Sequence, residues 1–97
     1  MTGGNGLDGL WDVHRTGGAL PPMRGIVRKR IEDGRGWTIA LGVRIPFVVD
    51  GLSLRYPGGG LVDELVPDGP EAYSGTTRLF GRTVGTFRLT RSALRRS

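Results

Sequence analysis

The chain has 97 residues, enough for one domain with a modest hydrophobic core. It contains no cysteine, which excludes disulfides and thiolate chemistry. Hydrophobic residues make up 37% of the chain, too many for a disordered tail. No apolar run approaches the roughly 18 residues of a membrane-spanning helix, and no signal-peptide pattern follows Met1. The sequence therefore predicts a cytoplasmic protein with no membrane partner.

The formal net charge is +5, and it is unevenly distributed along the chain. Residues 61–71 hold four acids and no base, whereas six arginines and no acid follow Glu71. A basic edge of this kind attracts anionic partners such as nucleic acids, although a solvated surface is the simpler interpretation. Thirteen of the fourteen basic residues are arginine and only Lys29 is lysine, a bias that we attribute to codon usage.

Glycine-containing turn signals divide the chain into short segments rich in β-branched and aromatic residues. They predict a flexible N-terminus at 1–6, one domain at 7–92 and a basic tail at 93–97. Eight strands are predicted within the domain, at 9–16, 24–32, 36–44, 46–50, 52–57, 61–66, 73–80 and 83–91.

Alternation of apolar and polar residues assigns the two faces of each strand. The clearest pattern is "WTIALGVRI", where Trp37, Ile39 and Leu41 share one face. One apolar face per strand, repeated eight times, requires either a closed sheet or two stacked sheets. Tight connections favour closure, so the predicted fold is all-β, a small antiparallel up-and-down β-barrel.

The stretch "DGLWDV" places Gly9 and Trp11 at the start of the first strand. A Gly-x-Trp motif at this position of an up-and-down barrel resembles the lipocalin or calycin superfamily. The resemblance implies that the tryptophan closes one end of the barrel and that a basic residue of the last strand lies across its indole. Arg88 and Arg91 are the candidates for that basic residue.

The stretch "LVDELVPDG" carries two acids on an otherwise apolar strand. Asp63 and Glu64 point to opposite faces, and alternation alone does not decide which one turns inward. The inward carboxylate either pairs with an inward arginine or acts as a general acid or base, and in the second case an inward arginine such as Arg55 or Arg78 stabilises the anion. In the catalytic interpretation the proton donor is Tyr56 or Tyr73.

If the barrel is hollow, its aromatic residues line a ligand cavity; if it is filled, they form the core. Glycines within strands, such as Gly75, either leave space or bend the strand; Gly25, Gly42 and Gly85 are the others. The candidate ligand-binding residues are Trp11, Trp37, Phe47, Tyr56, Tyr73, Phe80, Phe87 and Arg88.

Three functions follow, in order of preference. The first is binding of a hydrophobic or aromatic small molecule inside the barrel. The second is a cofactor-free cyclase or isomerase of a natural-product pathway, using the inward carboxylate and a tyrosine. The third is nucleic-acid binding by the C-terminal arginines, with Phe80 and Phe87 as stacking residues.

No cofactor is expected, and no metal either, because one histidine (His14, near Asp12) cannot supply a zinc site. A homodimer is a further expectation, since a chain of 97 residues buries limited surface area when it folds alone.

Overall fold

The computed structural model describes residues 7–18 and 27–92. They form eight antiparallel strands, each paired with its neighbour in sequence, and the pairing of the last strand with the first closes a barrel. This confirms the all-β, up-and-down barrel prediction. Among these residues there is no helix of the length and apolarity needed to cross a membrane. The strands are β1 (Gly9–Gly18), β2 (Val27–Glu32), β3 (Arg35–Ala40), β4 (Val43–Asp50), β5 (Ser53–Arg55), β6 (Leu61–Pro67), β7 (Ala72–Leu79) and β8 (Arg82–Arg91).

The predictions for residues 1–6 and 93–97, and for Gly25, lie outside the described residues. Within the described residues, the turns at 33–34, 51–52 and 68–71 lie at one end of the barrel, which we call the closed end. The turns at 41–42, 56–60 and 80–81 lie at the other, which we call the cavity end.

The hairpin between β3 and β4 corrects one predicted boundary. A strand was predicted over 36–44, but Leu41 and Gly42 form a two-residue turn with φ of 50° and 81°. Positive φ at both central residues is the pattern of a type I′ hairpin, and Asp33-Gly34 shows the same pattern. Asp-Gly is a recognisable turn signal, whereas leucine rarely adopts positive φ, which is why this turn was missed.

The same hairpin also corrects the predicted face of β3. Gly36 is buried and Thr38 reaches the interior, so Trp37 and Ile39 lie on the outer face of the barrel. A Cβ on Gly36 would lie 2.9 Å from the ring of Phe47 and would also collide with the backbone of β2. The interior has no room for bulky side chains on β3, and this limit overrides the hydrophobic pattern.

The closed end is built around Trp11, which is fully buried and donates its indole N–H to Leu7 O at 2.8 Å. The Arg91 guanidinium lies 4.2 Å from the centre of the indole ring, a cation–π contact. Gly9 has φ of 132°, and the Arg91 guanidinium occupies the space that a Cβ on Gly9 would fill. These residues close this end of the barrel, and Arg91 rather than Arg88 covers the tryptophan.

Strand β5 is short, so the wall between β4 and β6 is incomplete. On the β4 side it pairs only with Val48–Asp50, so residues 43–47 of β4 have no described strand partner on the side that faces β5. The Val49 N–H bonds to Gly34 O in the turn before β3, so by alternation the nitrogen of Pro46 faces the uncovered side. Proline has no N–H to leave unpaired there, which explains how the strand tolerates it.

Candidate functional site

A cavity of about 220 Å³ lies inside the barrel, towards the cavity end. Most of its lining is apolar, and the lining residues come from seven of the eight strands together with Tyr56, which follows β5. Phe87 contributes an aromatic surface to it. The aliphatic lining residues are Val13, Val27, Ile45, Leu61, Leu79 and Val84.

Five polar side chains also line this cavity and contact one another. We call Lys29, Thr38, Tyr56, Asp63 and Thr77 the polar cluster. The side chains of Lys29 and Asp63 are only 4% and 5% exposed, and their Nζ and Oδ2 atoms are 3.1 Å apart. A buried charge requires a partner of opposite sign and further hydrogen bonds, and the cluster provides both.

The hydrogen bonds of the cluster form one connected network. Lys29 Nζ donates to Thr38 Oγ1 at 2.7 Å and to Tyr56 Oη at 2.8 Å. Tyr56 Oη donates to Asp63 Oδ2 at 3.0 Å, and Thr77 Oγ1 donates to Asp63 Oδ1 at 2.8 Å. Because the single hydroxyl hydrogen of Tyr56 goes to Asp63, Thr38 is the donor in its 2.6 Å contact with Tyr56.

The network keeps its proton donors protonated. Burial lowers the pKa of Lys29, but the Asp63 carboxylate and the hydrogen bonds of the cluster outweigh burial, so the pKa lies above its usual value. Burial raises the pKa of Tyr56, and Lys29 offsets this effect only in part. Lys29 is therefore an ammonium ion at neutral pH, and Tyr56 is a neutral phenol.

Three aromatic rings surround the Lys29 ammonium. Its Nζ is 5.4 Å from the centre of the Phe47 ring, 5.5 Å from Tyr56 and 5.6 Å from Phe87. Cation–π attraction at these distances stabilises a desolvated cation. Phe47 and Tyr56 also pack edge to face, with ring centres 5.4 Å apart.

The structure resolves the choice between the two acids. Asp63 is the inward residue, and Tyr56 is its direct hydrogen-bond partner. Glu64 is outward and pairs with Arg78, Nε to Oε1, at 2.7 Å. The arginines named as inward anion stabilisers do not face the interior, since Arg78 and Arg55 both form exposed ion pairs. A lysine takes that place, because Lys29 lies inside the barrel.

The aromatic candidates fall into three groups. Phe47, Tyr56 and Phe87 lie around the polar cluster. Tyr73 lies at the closed end instead, where its ring packs edge to face on Trp11 with centres 5.3 Å apart. These two therefore form a separate group away from the cavity.

Three candidate ligand-binding residues lie outside the barrel. Trp37 is on the outer wall, and Phe80 is in the β7–β8 turn with 80% of its surface exposed. Arg88 is outward and pairs with Asp68 at 3.2 Å. The expectation that Trp37 and Phe80 line the interior is wrong, because Trp37 faces outward and Phe80 lies in a turn.

Sequence reasoning missed Lys29, Thr38 and Thr77. A signal for Lys29 was present, since Val27, Lys29 and Ile31 alternate with the outward Arg28 and with Arg30. A single lysine in phase with apolar residues, in a chain that otherwise uses arginine, marks an interior position. No comparable signal distinguishes Thr38 and Thr77 from threonines on outer faces.

Three of the C-terminal arginines that the structure describes form ion pairs with acids. Arg78, Arg88 and Arg91 pair with Glu64, Asp68 and Glu71, three of the four acids of the 61–71 run. Phe87 is buried, which leaves no ring of that strand beside them. Together with the pair of Asp63 and Lys29, these contacts give every acid of the 61–71 run a basic partner.

A groove of about 620 Å³ runs past Trp37, Pro46 and Pro57 on the outside of the barrel, and Phe47 and Tyr56 also line it. It is larger than the interior cavity, but the buried charges and the network of the polar cluster face the interior. We therefore place the candidate site inside the barrel. Among the described residues, no group of three or more histidine, aspartate or glutamate side chains is arranged to hold a metal ion.

Comparison of the chain with protein-family models, curated proteins and solved structures finds no significant match.

Proposed function

We propose that this chain is a lipocalin-like barrel that binds one small hydrophobic molecule in its interior. The observation that carries the proposal is the cavity of about 220 Å³ inside the barrel, lined mostly by aliphatic and aromatic side chains. Binding sites for small molecules are typically concave and mostly apolar, with a few polar groups that fix orientation. The polar cluster supplies such groups on one part of the wall.

The closed end supports the lipocalin-like part of the proposal. Gly9, Trp11 and Arg91 make the contacts that the resemblance implies, with the arginine lying across a buried indole. Closing one end of a barrel in this way leaves the other end for a ligand. Fold likeness does not by itself fix function, so the proposal depends on the cavity.

The volume limits the ligand to about the size of one ring. An apolar protein cavity of roughly 150 Å³ holds benzene, whereas drug-sized ligands need roughly 300 Å³ or more. A cavity of about 220 Å³ lies between these values. Long-chain fatty acids and sterols exceed it, so substituted benzenes and small monocyclic molecules are the proposed ligand class.

The geometry supports binding better than proton-transfer catalysis. A general base needs a lone pair directed at the substrate, and a general acid needs a free hydrogen. Asp63 instead accepts from Lys29, Tyr56 and Thr77, and the hydroxyl hydrogen of Tyr56 is used within the cluster. The acid and base named from the sequence are therefore joined to each other.

Thermal unfolding in the presence of ethylbenzene tests the proposal. A ligand that binds only the folded state at 100 times its Kd stabilises it by about 2.7 kcal/mol. For a domain of this size that corresponds to a rise in Tm of roughly 10 °C or more. We expect Tm to rise with ethylbenzene concentration and to stay unchanged with palmitate or cholesterol.

Two matched variants locate the effect. Val84 lines the cavity, whereas Val66 is 63% exposed. Val84→Phe should fill the cavity and remove the response to ethylbenzene, and Val66→Phe should keep it. An unchanged Tm of the parent protein with ethylbenzene, or an equal response in both variants, would refute the proposal.

A further inference from the structure

The hydrogens of the polar cluster restrict which ligands the cavity accepts, an inference that rests on the proposed function. The cluster has six polar hydrogens, three on the Lys29 ammonium and one on each hydroxyl of Thr38, Tyr56 and Thr77. Every one of them has an acceptor inside the cluster. Lys29 donates to Thr38 and Tyr56 and contacts Asp63, while the three hydroxyls donate to Tyr56 or Asp63.

Unlike the hydrogens, some hydrogen-bond acceptors of the cluster have no partner within it. A carboxylate offers about four lone-pair positions, and Asp63 receives three donors. A threonine hydroxyl accepts as well as donates, and Thr77 Oγ1 accepts from no described residue. The cluster therefore presents spare acceptors to the cavity and no spare donor.

We infer that the cavity selects neutral one-ring molecules whose polar group is a hydrogen-bond donor, such as an alcohol, a phenol or an N–H group. Such a group donates to Thr77 Oγ1 or to the remaining lone pair of Asp63. A ketone or an ester finds no hydrogen-bond donor in the cluster, so its carbonyl oxygen is left desolvated and without a partner. A carboxylate has the same defect and in addition brings a negative charge next to Asp63.

Calorimetric titration with matched aromatic probes tests this inference on the unmodified protein. The probes 1-phenylethanol and acetophenone share one heavy-atom skeleton, and only the alcohol carries a donor. Ethylbenzene lacks the oxygen, and benzoate adds a charge. We expect 1-phenylethanol to bind about tenfold more tightly than acetophenone, the factor that one well-formed hydrogen bond supplies. Benzoate should show no detectable binding.

Two threonine variants test whether the ligand's polar group contacts Thr77. Thr77→Val removes the inward acceptor, whereas Thr76→Val changes the neighbouring half-buried residue of β7, which pairs with Thr86. We expect Thr77→Val to change the affinity for 1-phenylethanol relative to that for ethylbenzene, because it removes one acceptor and frees the Asp63 lone pair that the threonine hydroxyl occupied. Thr76→Val should bind all probes as the parent does.

The possible results separate the two claims. Equal affinity for 1-phenylethanol and acetophenone, with ethylbenzene still bound, would overturn the donor inference and leave the binding proposal intact. Failure of ethylbenzene and both oxygenated probes to bind would overturn both. The comparison of probes needs no variant, so it holds even if Thr77→Val does not fold.

Discussion

The ammonium of Lys29 suits the centre of this barrel better than a guanidinium does. An ammonium is a compact point charge with three donors, whereas a guanidinium is a planar fork with five. Three acceptor atoms surround Lys29 Nζ, at 2.7, 2.8 and 3.1 Å. An arginine at this position would bring two further hydrogens into a space already bounded by aromatic rings.

Removing one partner of the buried ion pair should be costly. Lys29→Met leaves Asp63 as an unpaired buried charge, which typically costs about 3–5 kcal/mol of the free energy of unfolding. The double variant Lys29→Met/Asp63→Leu removes both charges and should recover most of that loss. Urea denaturation of the parent and both variants measures the difference.

An exposed ion pair provides the control. Arg78 and Glu64 are 2.7 Å apart, but nearly half of each side chain is exposed. Arg78→Met should therefore cost less than about 1 kcal/mol. A Lys29→Met variant as stable as Arg78→Met would show that the buried pair contributes little.

The raised pKa values of Lys29 and Tyr56 predict a loss of stability at alkaline pH. The folded state holds both protons more tightly than the unfolded chain, in which these groups titrate near pH 10. Their contribution is therefore fully present below about pH 10 and is lost as the pH rises through the folded-state pKa values. Unfolding free energies should be level between about pH 8 and 9.5 and fall towards about pH 11.

The variant without the buried charges checks the source of this loss. Lys29→Met/Asp63→Leu lacks the lysine titration, so its unfolding free energy should fall less between the same pH values. A parent protein that gains stability from pH 9.5 to 11, or a variant that loses as much as the parent, would contradict the assignment.

At the scale of single residues, the alternation of apolar and polar residues identified two candidates for the inward acid but did not decide between them. It gave opposite faces to Asp63 and Glu64 without choosing between them, because both faces of β6 are apolar apart from the acids. The missing information was the position of Lys29, which is fixed by β2 and reaches Asp63 across the barrel. A contact across the interior is not contained in the pattern of either strand.

At the scale of strands, two glycines make room for rings of the core. A Cβ on Gly75 of β7 would overlap the ring of Phe87, its cross-strand partner on β8. Gly36 on β3 stands in the same relation to Phe47 on β4. The space left by Gly75 is therefore filled by a ring, and the cavity has another origin.

Gly75→Ala should destabilise the barrel by about 1–3 kcal/mol, the usual cost of overpacking. The ring of Phe87 must move to admit the methyl group, so the cost should depend on that ring. In a Phe87→Leu background, Gly75→Ala should cost less than half as much. Urea denaturation of the four proteins measures this coupling, and equal costs in both backgrounds would refute the steric explanation.

The strands themselves were largely predictable, and their number and order were correct. Asp33-Gly34 and Asp50-Gly51 marked real turns, because Asp33, Gly34 and Gly51 adopt the positive φ that tight hairpins need. Leu41-Gly42 carried no such signal, and missing it merged the end of β3 with the start of β4. The apolar residues of β3 then led to a wrong prediction that Trp37 faces the interior. Trp37 faces outward because the Phe47 ring packs against Gly36 on the inner face of β3.

At the scale of the molecule, the barrel is packed at one end and hollow at the other. Trp11, Leu54, Leu65 and Leu89 fill the closed end. Towards the cavity end the interior holds the polar cluster, including two threonines, and a cavity of about 220 Å³ remains. Sequence alone could not decide between a filled and a hollow barrel, because that depends on the summed volume of inward side chains from all strands.

A crystal of the protein pressurised with xenon tests the hollow interior most directly. Xenon enters dry apolar cavities and scatters strongly, so its position is unambiguous. We expect a xenon atom inside the barrel, in contact with Val13, Leu61 and Phe87. An interior without xenon, with side chains occupying that space, would contradict the account.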